Sequence, residues 1–146
     1  MNPLIDNFVI SKRIAVVGMS RSGKKFGNMV VKELKTKGYE IFPVHPEAKE
    51  IDGIACYPDL KSLNGKVDGV WISIPPKKVP AILEEAAGIG LKNIWLQQGA
   101  WSNEVQQSID QLGLPVISKK CILMYAHPVH LVHKFHRTIK GIFGGL

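Results

Sequence analysis

Cysteine is nearly missing from this chain: 146 residues contain only Cys56 and Cys121, far apart and in no metal-ligand spacing. That excludes a disulfide framework and makes the cytoplasm the expected compartment. Long apolar runs are missing too. No stretch reaches the roughly 18 consecutive apolar residues of a membrane-spanning helix. The opening MNPLIDNFVISKR has no basic segment followed by a sustained apolar core, so no secretory signal is expected. Internal repeats, linkers and low-complexity tracts do not occur, which leaves one domain over 1–146. Acidic residues are in deficit, 12 against 19 Lys and Arg, for a net charge of +7. Such an excess attracts nucleic acid, anionic lipid or a small phosphorylated ligand, and the placement of the positive residues has to decide among them.

What is present alternates. IAVVG (14–18), YEIFPVHP (39–46), VDGVWISIPP (67–76), KNIWLQQG (92–99) and LPVISKK (114–120) read as short buried strands. GNMVVKELKTKG (27–38), VPAILEEAAGIG (79–90) and NEVQQSIDQLG (103–113) read as helices, two of them stopped by glycine. Pro43 points to an edge-like or strand-end position for its strand. The segment 47–63 is irregular, with a short strand near 54–57. Strands alternating with helices of this length predict an α/β fold: a Rossmann-like parallel sheet with helices on both faces, its core spanning about 11–120. The tail HPVHLVHKFHRTIKGIFGGL predicts a further amphipathic helix over about 128–143, with Leu131, Val132, Phe135, Ile139, Ile142 and Phe143 on one side.

The loop VVGMSRSGKKFG (16–27) is the candidate for chemistry. It lies between the first strand and the first helix, where open α/β sheets bind ligands. Glycines let the backbone approach a phosphate, and a helix N-terminus offers N–H groups and a positive dipole. Ser20 and Ser22 add hydroxyls; Arg21, Lys24 and Lys25 add charge. The loop is nearly a P-loop, but Lys25 stands where Ser or Thr should hold magnesium, and neither SIPP nor LQQG ends its strand in an acid, so an NTPase is disfavoured. It is also nearly a dinucleotide fingerprint, Gly18-x-Ser20-x-x-Gly23. The second strand, however, ends Val44-His45-Pro46 without the acid that grips a ribose 2′-hydroxyl, and Glu40 is at the wrong end. His45 and Lys49 in its place favour a ligand with an extra ribose phosphate. NADP and coenzyme A both fit.

The stretches VVGMSRSGKKFGNMVVKELKTKGYEIFPVHP, VDGVWISIPP and NIWLQQGAWS, in this order, resemble the small stand-alone CoA-binding domain family, which is similar to the N-terminal CoA-binding domain of the succinyl-CoA synthetase α subunit. The resemblance runs from about residue 11 to about 137, and CILMYAHPVHLVHKFHR looks like the closing segment of longer members. It implies a Rossmann-like fold that binds CoA or an acyl-CoA, with no assigned reaction. Carried over by position, it puts the CoA phosphates near Gly18, Met19, Ser20, Arg21, Lys24, Lys25, Phe26 and Gly27, with Val44, His45 and Pro46 beside the adenosine. Many relatives have Asn where this chain has His45. Ile74, Pro75, Pro76 and Lys77 would wall the ligand, and Gln97, Gln98 and Gly99 would lie near the pantetheine end.

Catalytic machinery is not evident. No Ser-His-Asp pattern or nucleophile elbow occurs, and the segment carrying the synthetase's phosphorylated histidine belongs to a part this chain does not match. Lys119-Lys120 before Cys121 could lower its thiol pKa, although a buried cysteine after a strand is the more usual reading. His127, His130, His133 and His136 recur every three residues; such steps drift by roughly 60° around a helix, so the four cannot converge on one ion and no metal site is expected. The lysines are scattered and the three tryptophans lie in or beside strands, which gives little support for nucleic-acid binding. The sequence therefore predicts a binding module for CoA, without a membrane span and compatible with a homodimer. An NADP-binding oxidoreductase and a basic interaction protein without a ligand are the alternatives.

Overall fold

A computed structural model of the chain describes residues 3–22 and 25–125. Helix α1 (Pro3–Val9) leads into β1 (Arg13–Val17) and α2 (Phe26–Thr36). Strand β2 (Glu40–Val44) and a small hairpin, β3 (Glu50–Ile51) with β4 (Ile54–Ala55), come next. Then follow β5 (Gly69–Ile72), α3 (Val79–Gly88), β6 (Ile94–Gln97), α4 (Asn103–Leu112) and β7 (Val116–Lys120). The helix expected over 128–143, the histidines at 127, 130, 133 and 136, Gly23 and Lys24 lie outside the described residues.

Five strands form one parallel sheet in the order β2-β1-β5-β6-β7. The central strands β1, β5 and β6 are buried on both faces, apart from Arg13, and period-two alternation divides their side chains between two apolar layers. Ile14 and Val16 of β1, Trp71 of β5 and Trp95 of β6 pack with α1 and α2 on one face. Ala15, Val17, Val70, Ile72, Ile94 and Leu96 pack with α3 and α4 on the other. This is the two-faced Rossmann-like sheet the strand–helix alternation predicts. Pro43 indeed lies on an edge strand: within the sheet β2 neighbours β1 alone, and on its outer side it meets a single bridge, Val44 with Tyr57, in which the Pro43 carbonyl accepts from Tyr57 N at 2.9 Å.

Helix α1 is the element the sequence did not announce. Seven residues are too few to display a helical period, yet Ile5, Phe8 and Val9 are spaced to bury one face. Phe8 meets Trp95 edge-on, with ring centroids 5.3 Å apart. Among the described residues, no helix is long and apolar enough to cross a membrane.

The chain leaves β1 for β2 on one side and returns to β5 on the other. The crevice at the carboxyl ends of β1 and β5 is therefore the topological switch point of the sheet, the place where open α/β sheets receive ligands.

Candidate functional site

Two glycines shape the loop at that switch point. Gly18 follows β1 with φ +141°, and a Cβ on it would lie 2.3 Å from the Ser73 carbonyl oxygen just beyond β5. Ser73 N donates to the Val17 carbonyl at 2.8 Å, so the two strand ends are pinned together under the loop. A Cβ on Gly27 would lie 2.2 Å from the Gly18 carbonyl oxygen. The first turn of α2 thus rests directly on the end of β1, an approach open only to glycine. The close helix–strand contact belongs to Gly27, while Gly23, the closing glycine of the near-fingerprint, lies outside the described residues.

Helix α2 opens toward this loop without a side-chain cap. Its N-cap, Lys25, is extended (φ −78°, ψ 161°) and supplies no capping hydrogen bond. Asn28 N, in the first turn, donates to the Lys25 carbonyl at 3.0 Å, and the positive end of the helix dipole faces the loop. Ser20 Oγ lies 2.9 Å from Ser22 Oγ and accepts from Ser22 N at 3.2 Å, which curls the loop tip. Arg21 and Lys25 are exposed. The Arg21 guanidinium stands 3.9 Å from Glu47 Oε2, and with both side chains well exposed this contact holds it only loosely.

The remaining predicted residues fall in different places. Met19 turns its side chain into the core, 4% exposed, so only its backbone faces the loop. Phe26 is 45% exposed at the start of α2, its ring centroid 6.4 Å from that of Trp71. Val44 is buried and Pro46 exposed, with His45 between them half-buried. His45 Nδ1 accepts from Glu47 N at 3.1 Å and Ala48 N at 2.9 Å. The ring nitrogen does here what an Asn side chain does in an Asx turn. That double acceptance places the proton of the neutral ring on Nε2. Ile74 is half-buried against the α3 and α4 side; Pro75 and Lys77 are exposed, and Pro76 opens a short 3₁₀ turn over Pro76–Lys78.

Gln97 is 2% exposed, and its Oε1 accepts from Trp71 Nε1 at 3.0 Å and Ile122 N at 3.1 Å. Its carbonyl end is thus engaged within the protein, and the exposed turn Gln98–Gly99 is what the end of β6 presents to solvent. The β6–β7 register shifts between Trp95 and Gln97, Lys119 adopts φ +64°, and its ammonium stands 4.0 Å from the centroid of the Trp101 ring.

Three residues at the loop escaped the sequence reading: Asn28, Asp52 and Ser73. Asn28 reads as one polar residue inside a helix, and nothing in its spacing links it to Ser20. Asp52-Gly53 does carry a signal, an Asp-Gly pair between two short apolar stretches, which marks a hairpin turn. The two thiols stand apart from the loop glycines in sequence. Burial, aided by Glu50, pushes the Cys56 thiol up, and Cys56 Sγ lies 3.8 Å from the Ile54 carbonyl. It is a protonated thiol at neutral pH. Cys121 is half-buried before the turn Ile122–Met124.

An open groove of about 560 Å³ lines Lys35, Gly38–Ile41 and Gly53–Ala55 beside the amino-terminal half of β2. It lies away from the switch point. The chemistry of the loop, not the size of this groove, makes the loop the candidate site.

The chain is similar over most of its length to known proteins. The family model described as a CoA binding domain matches residues 12–127. The Bacillus subtilis protein YneT is 36% identical over 119 residues, covering 82% of this chain and 87% of that protein. The ADP-forming acetate–CoA ligase II of Archaeoglobus fulgidus is 32% identical over 110 residues, covering 74% of this chain but only 16% of the ligase. Among solved structures, a conserved hypothetical protein from Pyrococcus furiosus superimposes with a TM-score of 0.72 at 35% identity, covering 77% of this chain and 97% of that one.

Proposed function

The chain belongs to the CoA-binding domain family, and from that premise we propose that it binds coenzyme A or an acyl-CoA at the loop after β1, as a binding module without a reaction of its own. The observation that carries this reading is the pair of backbone contacts Gly27–Gly18 and Gly18–Ser73 beneath an uncapped helix start. Together they bring the loop backbone against the start of α2 at the switch point, where a helix N-terminus favours a phosphate. The Ser20 and Ser22 hydroxyls, Arg21 and Lys25 supply further donors and charge. Across the turn after β2, His45 has Nε2–H to offer, and Lys49 follows it; these suit the 3′-phosphate of CoA. The pantetheine arm would leave past Ile74–Lys77 toward the turn at Gln98–Gly99. The match to a short part of the acetate–CoA ligase supports a module that holds the ligand while chemistry resides elsewhere.

Calorimetric titration with CoA, dephospho-CoA, NADP and NAD tests the reading. CoA should bind best, and dephospho-CoA more weakly for want of the 3′-phosphate. NADP binding without CoA binding would overturn the ligand and keep the site. No heat with any of the four would remove the proposal and direct attention to protein partners.

A further inference from the structure

Asn28 is an amide at the third position of α2, 1% exposed, and both ends of its side chain are engaged. Its Oδ1 accepts from Ser20 N at 2.8 Å, and its Nδ2 donates to the Ser20 carbonyl at 3.0 Å. This is a two-point grip on the backbone N–H and C=O of one residue, the pairing that a neighbouring strand would provide. The same Nδ2 donates to Asp52 Oδ2 at 3.1 Å. Asp52 is the exposed turn residue of the β3–β4 hairpin, in the left-handed region at φ +50°, and it is followed by Gly53 at φ +77°. One buried side chain therefore joins α2, the phosphate loop and a hairpin 24 residues away. The grip also removes Ser20 N–H from the donors a ligand can use and leaves the hydroxyl. A loop of small residues would otherwise sample many conformations, and ordering it at binding would cost affinity.

Resting on the CoA reading above, we infer that Asn28 is the positioning residue of the phosphate loop: it pre-sets Ser20, and with it the loop tip, for a diphosphate, and it couples the loop to the Asp52 turn. The polarity of the cluster makes the inference specific. Asn28→Asp puts an acceptor against the Ser20 carbonyl and the Asp52 carboxylate, where Nδ2 had donated to both. Asp52→Asn keeps an acceptor for Asn28 and removes a negative charge from the neighbourhood of the ligand. The double variant restores a donor–acceptor pair between positions 28 and 52 with its direction reversed.

The experiment measures CoA affinity by titration and Ser20 amide hydrogen exchange by NMR on the full chain. Asn28→Asp should weaken CoA by about tenfold or more, and speed Ser20 exchange in the ligand-free protein. Asp52→Asn should bind CoA at least as well as the parent. Adding Asp52→Asn to Asn28→Asp should recover part of the loss, a coupling that independent sites do not show. Asp52→Ala removes the acceptor for Asn28 at an exposed turn, with some added strain in its left-handed backbone, and should weaken CoA by about threefold. Unchanged affinity and Ser20 exchange in Asn28→Asp would overturn the inference, as would a double variant no better than Asn28→Asp. Should Asn28→Asp not fold, Asp52→Ala binding CoA like the parent would overturn it. If the parent binds no CoA, the ligand reading falls, while Ser20 exchange still decides whether Asn28 holds the loop.

Discussion

The α-carbon of Gly27 rests against the carbonyl oxygen of Gly18, and a Cβ added there would approach that oxygen to 2.2 Å. Both partners are backbone, so no side-chain rotation can relieve the contact. Gly27→Ala must push α2 off the end of β1 and widen the loop between them. The expected cost is about 1–3 kcal/mol of stability, with a fall of about tenfold or more in CoA affinity because the helix start withdraws from the ligand. Urea unfolding and calorimetric titration on the same variant check this. A Gly27→Ala protein that unfolds at the parent's urea concentration and binds CoA equally would show that the close approach does not shape the site.

His45 separates two functions that one ring performs. Nδ1 holds the turn by accepting from Glu47 N and Ala48 N, and Nε2–H is left for a ligand. His45→Asn keeps an acceptor in place of Nδ1 and replaces the outward Nε2–H by a shorter amide donor that stops well short of it. Stability should therefore change by less than about 0.5 kcal/mol, while the preference for CoA over dephospho-CoA should narrow by about threefold. His45→Ala should lose the turn as well, at about 1 kcal/mol. An unchanged CoA to dephospho-CoA ratio in His45→Asn would take the 3′-phosphate away from this residue.

Gln97 is the hydrogen-bonding centre of an otherwise apolar layer. Its Oε1 serves Trp71 Nε1, on the neighbouring strand, and Ile122 N, beyond β7, and so ties three parts of the sheet's carboxyl edge. Gln97→Leu leaves both donors buried without an acceptor, which should cost about 2–4 kcal/mol in a denaturant titration. A shift in Trp71 fluorescence should accompany it. Stability equal to the parent's would mean that the two donors find other acceptors.

Much of this architecture was legible because each strand is an apolar run closed by glycine, proline or a charge, and each long helix has a distinct stop. The loop after β1 was legible for the same reason: strand, glycine, hydroxyls, lysines and helix follow each other in sequence. The grip of Asn28 on Ser20 and Asp52 was not, because it joins residues 8 and 24 positions apart through a side chain whose partners are set only when the hairpin folds back. The burial of Gln97 was hidden similarly. In sequence it precedes another glutamine and a glycine at a strand end, and only the arrival of Trp71 and Ile122 from either side turns it inward. Helix α1 was too short to show a period, and it forms because Phe8 finds Trp95.

At the other end of the sheet, Asp68 fastens the start of β1 to the start of β5. Its Oδ1 accepts from Arg13 NH2 at 3.0 Å, and its Oδ2 accepts from Arg13 N at 3.1 Å and Lys12 N at 3.3 Å. Burial, the largest single influence, pushes this carboxyl up, but the Arg13 side chain and the two backbone N–H groups together outweigh it and hold the carboxyl below its ordinary value. The folded state therefore binds fewer protons at this group than the unfolded chain does, and stability rises with pH between the lowered value and the ordinary one of about 3.9. The contribution is complete above that range and is lost as pH falls through the folded value. Asp68→Asn should lower stability at pH 7 by about 1 kcal/mol, a modest figure because the side chain is partly exposed and screened. The difference from the parent should shrink steadily below about pH 4. Raising the salt should weaken only the Arg13 guanidinium part, since the backbone N–H bonds need no long-range field. Urea unfolding of both proteins from pH 7 to pH 2.5 checks the argument, and a gap that stays constant across that range would show that the carboxylate's charge contributes nothing to holding β1 and β5 together.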